Sequence, residues 1–109
     1  KKKIQGIGVE VLIIKRKKDQ VDLSLLMGKL GDMGVSSVMI EGGSEISGTA
    51  FKEKLVDKVI YFLAPKIIGG KNAPGPIGGQ GIAKLKEFVK VKEMSVARLG
   101  NDLVIEGNI

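Results

Sequence analysis

The feature that most constrains this chain is the spacing of three apolar runs. Residues 9–14 (VEVLII) and 37–40 (SVMI) are short, and residues 59–63 (VIYFL) are apolar throughout. Runs of this length read as buried strands, the third as a central one. Between the first two, Asp22 precedes Leu23 as an N-cap. Leu23, Leu26, Met27, Leu30 and Met33 then fall within about 120° of a helical wheel, and Gly34 is placed for a left-handed C-cap. Between the second and third runs, residues 44–55 read as a helix with Ile46, Ala50, Phe51 and Leu55 on one apolar half. Gly48 weakens that helix by about 1 kcal/mol relative to Ala. Strand, helix, strand, helix, strand predicts parallel β-α-β units with right-handed crossovers.

Beyond the third run the pattern changes. Six glycines and two prolines fall in residues 69–81 (GGKNAPGPIGGQG). Neither a helix nor a central strand tolerates that composition, so the segment is a long loop, the kind that is usually functional or mobile. Val89 and Val91 then alternate with lysines, and Met94 and Val96 continue on the opposite parity. The slip predicts a β-bulge near Lys92 and Glu93. Leu99-Gly100-Asn101-Asp102 reads as a tight turn leading into Leu103-Val104-Ile105, a C-terminal antiparallel hairpin. No internal repeat is visible, and 109 residues correspond to one domain or part of one.

Composition removes several chemistries. The chain has no Cys and no His, so disulfides, thiol chemistry, and Ser-His-Asp or Cys-His catalysis are excluded within it. A zinc site would need only carboxylate and water ligands, and no metal is expected. Proton transfer falls to Glu, Asp, Lys, Tyr, water or a cofactor. No apolar run approaches the roughly 18 residues of a membrane span. The net charge is +6, with clusters at Lys1 to Lys3 and at Lys15 to Lys18. Solvated loops explain these clusters. A nucleic-acid surface would carry stacking aromatics among the basic residues, and none lie there. An anionic small molecule suits the charge equally well.

The segment most informative about function is VMIEGGSEISGTAF, residues 38–51. A strand runs into Gly42-Gly43 and a helix begins at once. The free N–H groups of a helix start and its dipole favour an anion. Glycines let a phosphate approach the backbone, and Ser44 and Ser47 add hydroxyl donors. The alternative is a tight strand-to-helix turn that needs glycine for its own geometry. Glu41 is the only charged residue at the end of this strand. It either faces the crevice, where it can accept hydrogen bonds from sugar hydroxyls, or lies in solvent.

The longer string IEGGSEISGTAFKEKLVDKVIYFLAPKIIGG, residues 40–70, resembles the C-terminal reductase domain of the bifunctional riboflavin-biosynthesis deaminase–reductases. The shared pattern is Glu-Gly-Gly-Ser, a helix, Leu55-Val56-Asp57, a strand, the Ala-Pro-Lys-Ile-Ile-Gly-Gly run from Ala64 to Gly70, then Ala73-Pro74 and Gly78-Gly79. Gly8-Val9-Glu10-Val11 and the helix ending in Gly34-Val35 also fit, so the likeness covers nearly the whole chain.

The resemblance implies an α/β fold of the dihydrofolate-reductase type, a mostly parallel sheet with flanking helices and a C-terminal hairpin. It implies NADPH as cofactor and reduction of 5-amino-6-(5-phosphoribosylamino)uracil, a phosphorylated ribosylaminopyrimidine, to the ribitylamino product. In that family the motif Glu contacts substrate, which assigns Glu41. The glycines and helix start hold the cofactor, which assigns Gly42, Gly43, Ser44, Glu45, Ile46, Ser47, Gly48 and Thr49. No catalytic residue is assigned.

A cytoplasmic homo-oligomer without nucleic-acid or membrane partners is expected. Residues 1–109 correspond to the C-terminal part of one reductase domain. The family's other half, with the substrate-phosphate contacts and any deaminase, is expected outside them. These 109 residues alone are therefore expected to self-associate and to lack reductase activity. The alternative is a truncated nucleotide-binding or oligomerisation module without activity of its own.

Overall fold

The computed structural model describes residues 8–109; the basic cluster at Lys1 to Lys3 lies outside the described residues. The chain divides into two compact units, residues 1–39 and 40–109.

In the first unit, β1 (Arg16–Lys17) and β2 (Gln20–Val21) form a minimal antiparallel pair, Arg16 opposite Val21 and Lys17 opposite Gln20. Lys18 turns the chain with φ 58°. The Arg16 guanidinium donates to the Asp19 carbonyl at 3.3 Å and lies 3.9 Å from its carboxylate. Both side chains are exposed, so this pair contributes little stability.

Helix α1 (Leu23–Asp32) follows. The Asp22 carboxylate accepts from the Leu25 N–H at 3.1 Å, the expected N-cap. At the other end the Val35 N–H donates to the Leu30 carbonyl at 3.0 Å and the Gly34 N–H to Gly31 at 2.9 Å. With Gly34 at φ 85° this is a Schellman ending, as its position implied.

In the second unit, helix α2 (Ser44–Lys52) is followed by β3 (Lys58–Leu63), a 3₁₀ turn (Leu85–Glu87), β4 (Lys92–Leu99) and β5 (Asp102–Asn108). α2 begins where expected and stops three residues short of Leu55. Lys54, at φ 57°, ends it with a second Schellman pattern, Leu55 N–H to Ala50 at 3.0 Å and Lys54 N–H to Phe51 at 3.0 Å. The strands form one antiparallel sheet in the order β3-β5-β4. The hairpin turns at Gly100, φ 60°, the positive φ that a type II′ turn requires. The expected bulge is present as a register shift between Lys92 and Ser95, with Glu93 at φ 49°. Lys58 and Glu106 lie side by side across β3 and β5, 3.5 Å apart. Ala50 and Val59 are the buried apolar residues of this unit, as Leu23 is of the first.

Among the described residues, two expectations about the sheet are not met. The ladders among the described residues are antiparallel, and residues 9–14 and 37–40 enter no ladder. A parallel pair needs two strands delivered side by side by a crossover, whereas hairpin partners are adjacent in sequence. Without such partners, Val9, Ile13, Val38 and Met39 remain well exposed. Second, β3 is an edge strand and β5 the middle one. The run VIYFL marked apolar character and not position in the sheet; Phe62 and Leu63 are 65% and 57% exposed.

Candidate functional site

The second unit brings together two segments far apart in sequence: the start of α2 and the glycine-rich loop between β3 and β4. Gly42 and Gly43 both have positive φ, 66° and 74°, a conformation that costs glycine little and other residues much. Together they turn the chain from Glu41 into α2. A Cβ on Gly42 would point into open space, and one on Gly43 would touch only the Ile46 side chain, at 3.7 Å. Gly43 is the N-cap residue of α2, and no side chain caps the helix there. No side chain therefore caps the first-turn N–H groups, and a helix start of this kind can receive an anion.

The loop closes on the same turn. The Gly78 N–H donates to the Ser44 carbonyl at 2.8 Å, and the Gly79 N–H donates to Glu45 Oε1 at 3.3 Å. Contact is close enough that a Cβ on Gly48 would collide with the Gly78 carbonyl. A Cβ on Gly78 would lie 2.9 Å from Ser44 Oγ. Gly48 is therefore a contact glycine as well as a weak helix former. Further along, the Thr49 hydroxyl donates to the Glu45 carbonyl at 3.0 Å.

Of the residues singled out in the sequence, Gly42 to Thr49 thus form one continuous turn and helix start. Glu41 stands exposed immediately before it. Gly78 and Gly79 join the site unforeseen. The glycine and proline content marked their loop as functional or mobile, but nothing in the linear spacing named its partner.

A separate cavity of about 350 Å³, lined by Phe51, Lys54, Val56, Val89 and Ile109, lies at the opposite end of α2. It is mainly apolar, and Lys54 is its only charged residue, so it lacks the converging polar groups of a reactive site. Among the described residues no cluster of His, Cys, Asp or Glu could hold a metal, and no helix is long and apolar enough to cross a membrane.

Comparison with known proteins decides the family. Residues 1–105 match the family model described as RibD C-terminal domain. The chain belongs to that family. A riboflavin biosynthesis protein RibD from Actinobacillus pleuropneumoniae is 40% identical over 100 residues, which cover 92% of this chain and 27% of the relative. A 2,5-diamino-6-ribosylamino-4(3H)-pyrimidinone 5′-phosphate reductase from Aquifex aeolicus is 32% identical over 107 residues, 98% of this chain and 47% of the relative. Among solved structures, RibD from Acinetobacter baumannii superimposes with a TM-score of 0.79 at 22% identity, over 99% of this chain and 28% of that one. It establishes the shared fold. The chain thus spans between about a quarter and a half of the length of these three proteins.

Proposed function

We propose that this chain supplies the cofactor turn and part of the substrate site for NADPH-dependent reduction of 5-amino-6-(5-phosphoribosylamino)uracil to its ribitylamino product. The observation that carries this reading is the uncapped start of α2, approached through two left-handed glycines. Family membership supports this reading, since the Aquifex relative is named as a reductase of a ribosylaminopyrimidine phosphate. In this reading Gly42, Gly43 and the first-turn amides hold the dinucleotide pyrophosphate. Ser44, Glu45, Ile46, Ser47, Gly48 and Thr49 form the surface against which it lies.

Held there by Gly42, Gly43 and the α2 start, a reduced nicotinamide would supply the hydride for the opened sugar imine, with the balancing proton on nitrogen taken from solvent. The chain's own residues position and exclude. Glu41, at the mouth of the turn, accepts hydrogen bonds from ribose hydroxyls and so fixes the carbon to be reduced.

Pairing of residues 9–14 and 37–40 with strands elsewhere in the intact protein would complete a mostly parallel, dihydrofolate-reductase-like sheet. The proposal includes self-association in the cytoplasm. It is supported by β4, which is exposed along its whole length and, among the described residues, pairs on one side only.

The decisive experiment is Glu41→Gln in the intact protein. Loss of a charge-assisted hydrogen bond costs about 1.5–3 kcal/mol. That corresponds to a fall in kcat/KM of roughly 10- to 150-fold, with NADPH affinity almost unchanged. A wild-type rate, or a loss confined to NADPH affinity, refutes the assignment. If the wild type binds NADPH but turns over no ribosylaminopyrimidine phosphate, the chain is a nucleotide-binding module instead.

A further inference from the structure

A carboxylate in the first turn of a helix that receives an anion presents a difficulty. Glu45 stands there, where its charge would repel a pyrophosphate. The structure directs that charge elsewhere. Glu45 Oε1 accepts the Gly79 N–H at 3.3 Å, across 34 residues of sequence.

Beside this bond, the Gly78 N–H donates to the Ser44 carbonyl and the Gly78 carbonyl rests against Gly48. The rest of the loop is glycine- and proline-rich, with Gly79 and Gly81 at φ 79° and 62°. Backbone of that composition loses much entropy on ordering, so it is held only where something binds it. Two backbones meet at Gly48 and Gly78 without an intervening Cβ, and the Glu45 carboxylate adds a side-chain bond across the junction.

We propose that Glu45 is a positioning residue. Its carboxylate pins Gly78 and Gly79 to the start of α2, so that a bound dinucleotide meets an ordered second wall. The inference rests on the dinucleotide reading above for its functional consequence, but the pinning itself stands apart from any ligand.

The test uses Glu45→Ala, Glu45→Gln and Gly48→Ala in the intact protein. Amide exchange of residues 69–81 is followed without ligand, and coenzyme KM and kcat are measured with NADPH. Glu45→Ala is expected to speed loop exchange about tenfold, the scale of one lost charge-assisted bond. It should raise coenzyme KM by a similar factor while kcat stays within about twofold. Glu45→Gln keeps a neutral acceptor at the same place without the charge and should recover part of both effects. Gly48→Ala, which wedges the junction without touching charge, should loosen the loop as Glu45→Ala does.

Unchanged loop exchange in Glu45→Ala overturns the proposal, whatever the coenzyme does. Tighter NADPH binding in Glu45→Ala also overturns it, because repulsion then outweighs positioning. If the wild type binds no dinucleotide, the functional reading fails on its own, and loop exchange still decides whether Glu45 pins the loop.

Discussion

The two helices end alike and begin differently. α1 and α2 both close with a Schellman pattern, at Gly34 and Lys54. At their starts, Asp22 puts a carboxylate on the Leu25 N–H, while Gly43 brings no side chain at all. A capping carboxylate satisfies donors and adds stability; a bare glycine leaves those donors to a ligand. The contrast separates a helix capped by its own side chain from one whose start is open to the proposed anion.

The largest expected effect comes from making α2 begin like α1. Gly43→Asp places a capping carboxylate where the pyrophosphate is proposed to lie. NADPH affinity in the intact protein, read by calorimetry, should fall on the order of 100-fold or more, about 2.7 kcal/mol. The far-ultraviolet dichroism should be retained. Equal affinity in mutant and wild type would erase the distinction between the two helix starts.

Removing the cap from α1 should act on stability alone. Asp22→Ala is expected to cost about 1 kcal/mol in urea unfolding, with NADPH affinity unaltered. A matching loss of coenzyme binding would mean that α1 too serves the ligand.

The smallest effect concerns the similar ends. Lys54 holds a left-handed conformation that Gly34 adopts freely. Lys54→Gly should gain about 0.5–1 kcal/mol, visible as a higher urea midpoint at unchanged slope. A loss would show that the Lys54 side chain, which lines the apolar cavity, contributes more than its backbone strain costs.

What the sequence disclosed follows the range of the interactions involved. Caps, the Gly34 ending, the bulge at Lys92 to Ser95 and the turn at Gly100 are set by neighbours a few residues apart, and each was legible. The start of α2 was legible for the same reason, because Gly42, Gly43 and Ser44 form a local turn. Strand pairing beyond the C-terminal hairpin was not. Residues 9–14 and 37–40 have the composition of strands, yet a ladder depends on a partner that composition does not name. Likewise Gly48 read as a weak helix residue and, through the resemblance, as part of the cofactor turn, but its contact with Gly78 lies beyond any local pattern. The site's second wall was invisible for that reason and not for want of a motif.

The position of β5 carries a kinetic consequence. β5 meets β4 through a tight turn, and such a hairpin closes in roughly 1–10 μs. β3 joins the same strand only after the chain from Ala64 to Val91 has been looped out, and that non-local closure has an entropic cost before any contact rewards it. The glycine-rich loop lies inside this stretch. In the order of assembly, the hairpin therefore comes early, β3 docks later, and Gly78 and Gly79 reach α2 among the last. Bringing Gly78 and Gly79 to α2 closes a further long stretch of chain, so that contact carries an entropic cost of its own.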